Sequence, residues 1–169
     1  MKPGQPPLIT LVEISADNWE AVASLEVTES ERAFVASNLY SLAQSRFEPA
    51  ARPLALCADG TAVGFFMYEA DDTEPDAIMI YRFMVDHKQR GRGYGRAGLA
   101  LLLAGFEQDP RIRVVRVCLV PENNSARQLY DSLGFVEIGR DADGEIIAER
   151  AVASPRLWDP EAPRSGRPD

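Results

Sequence analysis

Residues 89–96 have the composition and spacing best suited to chemistry, and they read Gln-Arg-Gly-Arg-Gly-Tyr-Gly-Arg. Glycines at alternate positions let the backbone turn tightly with no Cβ in the way, and they are Gly91, Gly93 and Gly95. Successive N–H groups can then point into one concavity, and the helix predicted directly behind them adds the positive end of its dipole. Formal positive charge beside the concavity comes from Arg90, Arg92 and Arg96. The segment therefore suits a bound diphosphate.

Three interpretations of this segment are open on its residues alone. It can hold the pyrophosphate of coenzyme A, it can bind a dinucleotide, or it can be a solvated loop whose glycines only turn the chain. Gly93, Gly95 and Gly98 do spell G-x-G-x-x-G. In a dinucleotide fold, however, the glycines follow the strand almost directly and an acid stands about 20 positions later. Here the polar residues 86–92 intervene, and residues 114–117 contain no acid.

A second segment, residues 123–135, reads Asn-Asn-Ser-Ala-Arg-Gln-Leu-Tyr-Asp-Ser-Leu-Gly-Phe. Asn123 and Tyr130 are two helical turns apart, so they share one face of the predicted helix at a separation of about 10 Å. Asn123 can offer a donor and an acceptor to the amides of a ligand. Tyr130 can place its hydroxyl deeper along the same face, and the ordinary pKa of such a phenol is about 10. A core aromatic with a satisfied hydroxyl is the alternative for Tyr130.

The elements that must position these residues follow an order typical of an α/β domain. Strands are predicted over 8–14, 53–58, 62–69, 77–85, 114–120, 135–140 and 145–151, and helices over 18–27, 31–43, 96–108 and 123–133. A run of antiparallel strands followed by β-α-β predicts a mixed, mostly antiparallel sheet with helices on both faces. The second helix should turn these residues inward: Phe34, Val35, Leu39 and Leu42. We expect one domain over 1–152 and a Pro- and Arg-rich tail over 153–169 with a composition typical of disorder.

Both chemical segments resemble motifs of the GNAT superfamily of N-acetyltransferases. Residues 90–95 match its [QR]-x-x-G-x-[GA] pattern, and residues 123–135 are similar to its N-x-x-A-x-x-L-Y-x-x-x-G-F pattern. The resemblance implies a GNAT fold with splayed, parallel fourth and fifth strands, and direct acetyl transfer from acetyl-CoA to an amine without a metal. It implies that Tyr130 protonates the leaving thiolate. The residues for which it implies cofactor contact are Phe83, Met84, Val85, Arg90, Gly91, Arg92, Gly93, Tyr94, Gly95, Arg96 and Asn123.

The group that accepts a proton from the attacking amine is harder to assign. Some members of the superfamily place a glutamate on the fourth strand, but that position is Tyr81 here. Tyr81 can relay a proton through water, with an ordinary strand aromatic as the alternative. Acids at the junction of the first two helices are candidates to bind the acceptor, and they are Glu26, Glu29 and Glu31. A second group near the same end of the domain comprises Glu69, Asp71, Asp72, Glu74 and Asp76. A solvated surface is the alternative for both groups.

The acceptor class rests on a looser resemblance. Residues 25–38, 63–68 and 81–86 are similar to bacterial diamine and spermidine acetyltransferases, which makes a small amine such as a polyamine the first expectation. A protein or peptide amine, an amino acid and an aminoglycoside-like drug are alternative acceptors. From other classes of protein, a non-catalytic acyl-CoA-binding regulatory module and a Rossmann oxidoreductase remain open.

Charge and composition limit the partners further. The net charge of −8 over 169 residues argues against nucleic acid or an anionic membrane as a partner. No apolar run approaches the roughly 20 residues of a membrane span, and the first residues do not resemble a signal peptide, so we expect a cytoplasmic protein. Cys57 and Cys118 lie in strand-like runs without metal-ligand spacing and are expected to be buried, reduced thiols. The expected partners are a small-molecule amine and, in a homodimer, a second copy of the chain.

Overall fold

The computed structural model describes residues 6–71 and 74–152, which form one seven-stranded sheet flanked by helices. The strands are β1 (Ile9–Glu13), β2 (Arg52–Ala58), β3 (Thr61–Ala70), β4 (Ala77–Val85), β5 (Val114–Leu119), β6 (Val136–Arg140) and β7 (Ile146–Ala151). The helices are α1 (Trp19–Ala23), α2 (Asn38–Ser45), α3 (Tyr94–Phe106) and α4 (Asn124–Ser132), with short 3-10 turns at Glu29–Glu31 and His87–Gln89. This order of elements is the predicted one, so the α/β fold class is confirmed.

The sheet opens between β4 and β5. Its strand order is β1-β2-β3-β4-β5-β7-β6, and β4 with β5 is a parallel pair. Their paired residues run from Ala77 with Val114 to Ile80 with Val117, although β4 continues to Val85. The backbone of β4 beyond Ile80 therefore has no partner on β5. This is the predicted splay.

Two apolar clusters cover the two faces of the sheet. On one face, α3 and α4 pack against the strands through side chains such as Leu99, Phe106 and Tyr130. On the other face, Val22 of α1 packs in a cluster with Phe65 and Met84. Side chains alternate between the faces along a strand, so each central strand contributes to both clusters. The cavity described below opens where β4 and β5 separate between these layers.

Helix α1 is shorter than predicted. It ends at Ala23, whereas the sequence predicted a helix to about residue 27. The Glu26 N–H donates instead to the buried carboxylate of Asp86 at 3.1 Å, and the Glu26 carbonyl accepts from the His87 N–H. These bonds take residue 26 out of helical pairing. Local periodicity could not register them, because Glu26 and Asp86 are 60 residues apart.

Helix α2 begins later than predicted, at Asn38 rather than at residue 31. Ser37 is extended and caps the helix, since its hydroxyl accepts from the Tyr40 N–H at 3.2 Å. Of the residues expected to point inward, Val35 and Leu42 do pack against the core. The prediction for Leu39 was wrong, because the late start of α2 turns it outward and leaves it 59% exposed.

The acidic loop after β3 is held by Arg116 of β5. The guanidinium of Arg116 pairs with Asp71 at 3.2 Å, with Glu74 at 2.7 Å and with Glu149 at 3.0 Å. Two of the loop acids that the sequence offered as substrate contacts thus have a structural partner on β5. Asp72 and the predicted tail over 153–169 lie outside the described residues. Within the described ranges, no helix is long and apolar enough to cross a bilayer.

Candidate active site

The glycine-rich loop leads directly into α3. Gly91 and Gly93 have φ angles of 73° and 79°, in the left-handed region that favours glycine. Gly93 is the N-cap residue of α3, and none of the side chains that the structure describes caps the amides of the first turn. Those amides and the positive end of the helix dipole together suit an anion. The structure therefore has the local geometry that the alternate glycines predicted.

A cavity of about 350 Å³ lies between this loop and the splayed ends of β4 and β5. Both sequence motifs reach it. The predicted cofactor-binding residues that line it are Phe83, Met84, Val85, Arg90, Gly91, Gly93, Tyr94, Gly95 and Asn123. Arg92 and Arg96 are not among its lining residues, and Arg96 donates to the Ser132 carbonyl at 3.1 Å.

Asn123 and Tyr130 face the cavity from α4. Asn123 is the N-cap residue, and its side-chain oxygen accepts from the Ala126 N–H at 3.1 Å. Its acceptor is thus used by the helix, which leaves its amide hydrogens for a ligand. Tyr130 is only 6% exposed. Burial is the main cause that raises the pKa of Tyr130, and the adjacent Cys118 adds to it. The hydroxyl therefore stays protonated at neutral pH, where it can donate a proton.

Tyr81 is the extra residue of a β-bulge. Across β3 and β4, Met67 pairs with Arg82 and Tyr68 with Ile80, so Tyr81 has no opposite residue. The bulge reverses the alternation along β4, and Tyr81 lines the cavity. Its hydroxyl oxygen is buried without a hydrogen-bond partner among the described residues. Burial, with a smaller contribution from the charges of Glu69 and Glu48, raises the pKa of Tyr81 to about 12.

Two contacts join the glycine-rich loop to the junction of α1 and α2. Glu31 and Arg90 form an ion pair at 2.5 Å, and both line the cavity. The hydrogen bond from Arg90, together with Thr28, holds the pKa of Glu31 below its ordinary value. The buried carboxylate of Asp86 accepts from the backbone N–H groups of Glu26 and Lys88. Asp86 was not singled out in the sequence, because its partner is distant along the chain.

The other predicted acceptor residues are more exposed. Glu29 pairs with Arg32 at 3.0 Å, and its side chain is 83% exposed. Glu26 lies 4.0 Å from Arg32 and borders a neighbouring cavity that shares Val27, Val35 and Met84 with the main one. Glu31 thus lines the cavity and Glu26 borders its neighbour, whereas Glu29 lines neither. Each of the three acids has an arginine beside it.

Cys118 is a functional candidate that the sequence did not indicate. It is partly exposed, not buried as predicted, because it lies where β5 separates from β4 and lines the cavity. Its thiol and the carboxylates of Asp141 and Glu145 lie within 4.8 Å of one another. The two acids come from the hairpin between β6 and β7, and only the fold brings them to β5. Cys57 is buried as predicted.

Comparisons with known proteins agree with this geometry. The chain is 24% identical over 145 residues to the spermine/spermidine N(1)-acetyltransferase of Bacillus subtilis (strain 168), and the match covers 82% of this chain and 95% of that protein. Its fold is similar to that of an aminoglycoside acetyltransferase crystallised with coenzyme A, with a TM-score of 0.69, 16% identity and coverage of 85% and 95%. It is also similar to spermidine N-acetyltransferase from Vibrio cholerae in complex with CoA and spermine, with a TM-score of 0.66, 15% identity and the same coverage.

The family profile described as the acetyltransferase (GNAT) family matches residues 17–135, which is more than half of the chain. The match contains the glycine-rich loop, the splayed strands and the helix that carries Tyr130. The chain is therefore an N-acetyltransferase and belongs to the acetyltransferase (GNAT) family.

Proposed function

We propose that the chain binds acetyl-CoA in the cavity between β4 and β5 and transfers its acetyl group to a small amine. The observation that carries this proposal is the meeting of two rows of backbone groups on one cavity, neither of which pairs with a neighbouring strand or a capping side chain among the described residues. One row is the uncapped first turn of α3, and the other is the edge of β4 beyond Ile80. The first suits a diphosphate and the second suits an arm that contains amides, so the residues present fit the cofactor.

Acetyl-CoA supplies the thioester on which the transfer depends. In the proposed reaction, the nitrogen of a neutral amine bonds to the acetyl carbon while the carbon–sulfur bond breaks. Amides on the free edge of β4 polarise the acetyl carbonyl. Tyr130 gives its proton to the departing thiolate and regains one from solvent. The proton that the amine loses leaves through water held by the Tyr81 hydroxyl. Because the acetyl group passes directly to the amine, no covalent step involves Cys57 or Cys118.

A diamine or polyamine is our first acceptor class. The net charge of −8 favours a cationic substrate, and the names of the Bacillus and Vibrio proteins point to the same chemistry. The candidates to bind ammonium groups distant from the reacting nitrogen are Glu26, Glu29 and Glu31. Glu29 and Glu31 are paired with arginines, so binding there exchanges one cation for another. We also propose that the protein is cytoplasmic and that two copies of the chain form a homodimer.

A screen of amines with acetyl-CoA, followed by release of free thiol, tests the acceptor class. We expect spermidine to be acetylated with a higher kcat/KM than an aminoglycoside, a free amino acid or a peptide N-terminus. Glu29→Gln should raise the KM for spermidine more strongly at low salt, because exposed charges are screened by ions. Glu20→Gln is the control, since Glu20 is an exposed acid of α1 outside the cavity. Acetylation of the peptide and not of any polyamine would exclude this acceptor class.

A further inference from the structure

A second concave surface lies away from the cavity between β4 and β5, where the C-terminal half of α3 packs on the sheet. This groove has a volume of about 550 Å³, and among the described residues it shares no lining residue with that cavity. Its lining residues from α3 and the following loop include Leu101, Leu102, Gly105, Phe106 and Ile112. Leu101 is 41% exposed. Exposed apolar surface gathered in one groove is typical of a place where another segment or molecule packs.

The described part of the chain ends beside this groove. Val152 follows β7, and its N–H donates to the Arg113 carbonyl at 2.8 Å. The Val152 side chain is buried in the same apolar cluster as Phe106 of the groove. Ile112, the neighbour of Arg113 in sequence, lines the groove as well. The residues that follow Val152 therefore begin close to the end of the groove that contains Ile112.

Strand order gives the distance that those residues must cross. β7 lies two strands away from β4, whose Ile78 lines the groove, and two strand spacings are about 10 Å. Residues 153–157 span up to about 17 Å when they are extended. The start of the described chain lies at the opposite end of the sheet, since Ile9 pairs with Ala58, whereas the groove contains Arg52 at the other end of β2. The C-terminal residues therefore start at the groove's end of the sheet, and the N-terminal ones do not.

The sequence beyond Val152, which lies outside the described residues, contains one apolar pair. Leu157 and Trp158 are the only large apolar side chains in residues 153–169, and prolines at 155 and 160 flank them. A segment that proline restricts loses less conformational entropy when it packs. We propose that Leu157 and Trp158 occupy the groove of their own chain and cover Leu101. This inference concerns a surface outside the acetyl-transfer site and does not depend on the proposed function.

Trp158 can report its own position, because the chain has two tryptophans and Trp19→Phe leaves only Trp158. In that full-length variant we expect Trp158 emission to be blue-shifted, and its quenching by acrylamide to be weaker, than in the same protein unfolded in urea. Adding Gly105→Glu should remove both effects, because it places a charge in the apolar groove. Gly105→Ala is the matched control and should keep both. Its added Cβ meets no described atom within 4 Å beyond its chain neighbours and its own helix.

Substitutions in the C-terminal residues give an independent readout. Leu157→Ser combined with Trp158→Ser should lower the Tm of the full chain by about 3 °C or more, because buried apolar surface is lost. Pro163→Ser combined with Arg164→Ser is the matched control, since both positions lie beyond the apolar pair. That control should leave the Tm within about 1 °C of the wild type.

Three results would overturn the inference. Equal quenching of Trp158 in the folded and the unfolded protein, or in Gly105→Glu and Gly105→Ala, would place this side chain outside the groove. An unchanged Tm after both tail residues are replaced by serine would lead to the same conclusion. Trp158 emission that changes with protein concentration, together with a dimer mass in ultracentrifugation, would show that a second copy occupies the groove instead. None of these readouts requires acetyl transfer, so they are unaffected if the proposed function fails.

Discussion

At the scale of single residues, Tyr81 and Tyr130 both line the cavity, and neither hydroxyl has a hydrogen-bond partner among the described residues. Tyr130 approaches from α4, and Tyr81 approaches from the bulge in β4. The sequence singled out both, because the spacing of Asn123 and Tyr130 and the family resemblance marked their positions. It could not foresee that burial raises the pKa of each, since burial depends on residues far away in the chain. Both hydroxyls therefore stay protonated where a free phenol begins to ionise.

Replacing Tyr130 with phenylalanine tests its role as the acid. We expect Tyr130→Phe to fold and to bind acetyl-CoA with nearly wild-type affinity, and to lower kcat by roughly 10²-fold or more. In the wild type, kcat should not fall as the pH rises to about 10, because burial keeps the hydroxyl protonated. Single-turnover kinetics that isolate the chemical step provide the measurement. An unchanged rate constant for that step would indicate that Tyr130 is a core aromatic and not the acid.

The raised pKa of Tyr81 should make the free energy of unfolding depend on pH in the alkaline range. Its folded-state pKa of about 12 lies above the ordinary value, so the unfolded chain loses this proton first as the pH rises. The contribution is fully present below about pH 10 and is lost as the pH approaches about 12. Urea unfolding at about pH 8 and about pH 11 should show a smaller loss of stability in Tyr81→Phe than in the wild type. An identical loss in both proteins would exclude Tyr81 as its source.

At the scale of elements, the loop before α3 and the opening between β4 and β5 act together. Alternate glycines before a helix are a local signal, and they predicted the loop. The opening between the two strands was expected from the family resemblance. The sequence interpretation misplaced the ends of α1 and α2, since Glu26 bonds to Asp86 and Ser37 caps a new helix. Helical spacing across residues 31–37 could not reveal either contact. The wrongly predicted helix ends therefore fall at the junction beside the site.

Gly93 allows the contribution of the loop to be measured by two substitutions. Gly93→Asn and Gly93→Asp add side chains of nearly equal size at a left-handed φ of 79°, which asparagine and aspartate tolerate better than other residues. Both should fold, because among the described residues no atom beyond the two chain neighbours lies within 4 Å of an added Cβ. We expect Gly93→Asp to bind acetyl-CoA at least tenfold more weakly than Gly93→Asn in calorimetry, since only aspartate repels the phosphates. Equal affinities for the two variants would argue against a diphosphate at this loop.

At the scale of the whole molecule, a single sheet brings together residues that are far apart in sequence. Arg116 of β5 pairs with Glu74, which is 42 residues away, and Cys118 meets Asp141 and Glu145 of the last hairpin. These contacts depend on strand order, which composition and periodicity do not specify. The motif residues were predictable because each is local to one loop or helix. The acidic pair beside Cys118 was not, because it forms only after β7 inserts between β5 and β6.

The central claim is that this cavity transfers an acetyl group from acetyl-CoA to an amine. The most direct measurement incubates the purified chain with acetyl-CoA and a panel of amines, and follows free thiol together with the mass of each amine. We predict thiol release in equal amount to an acetylated amine, greatly reduced in Gly93→Asp and in Tyr130→Phe. Binding of acetyl-CoA without thiol release for any amine, peptide N-termini included, would contradict the claim and indicate a non-catalytic acyl-CoA-binding module.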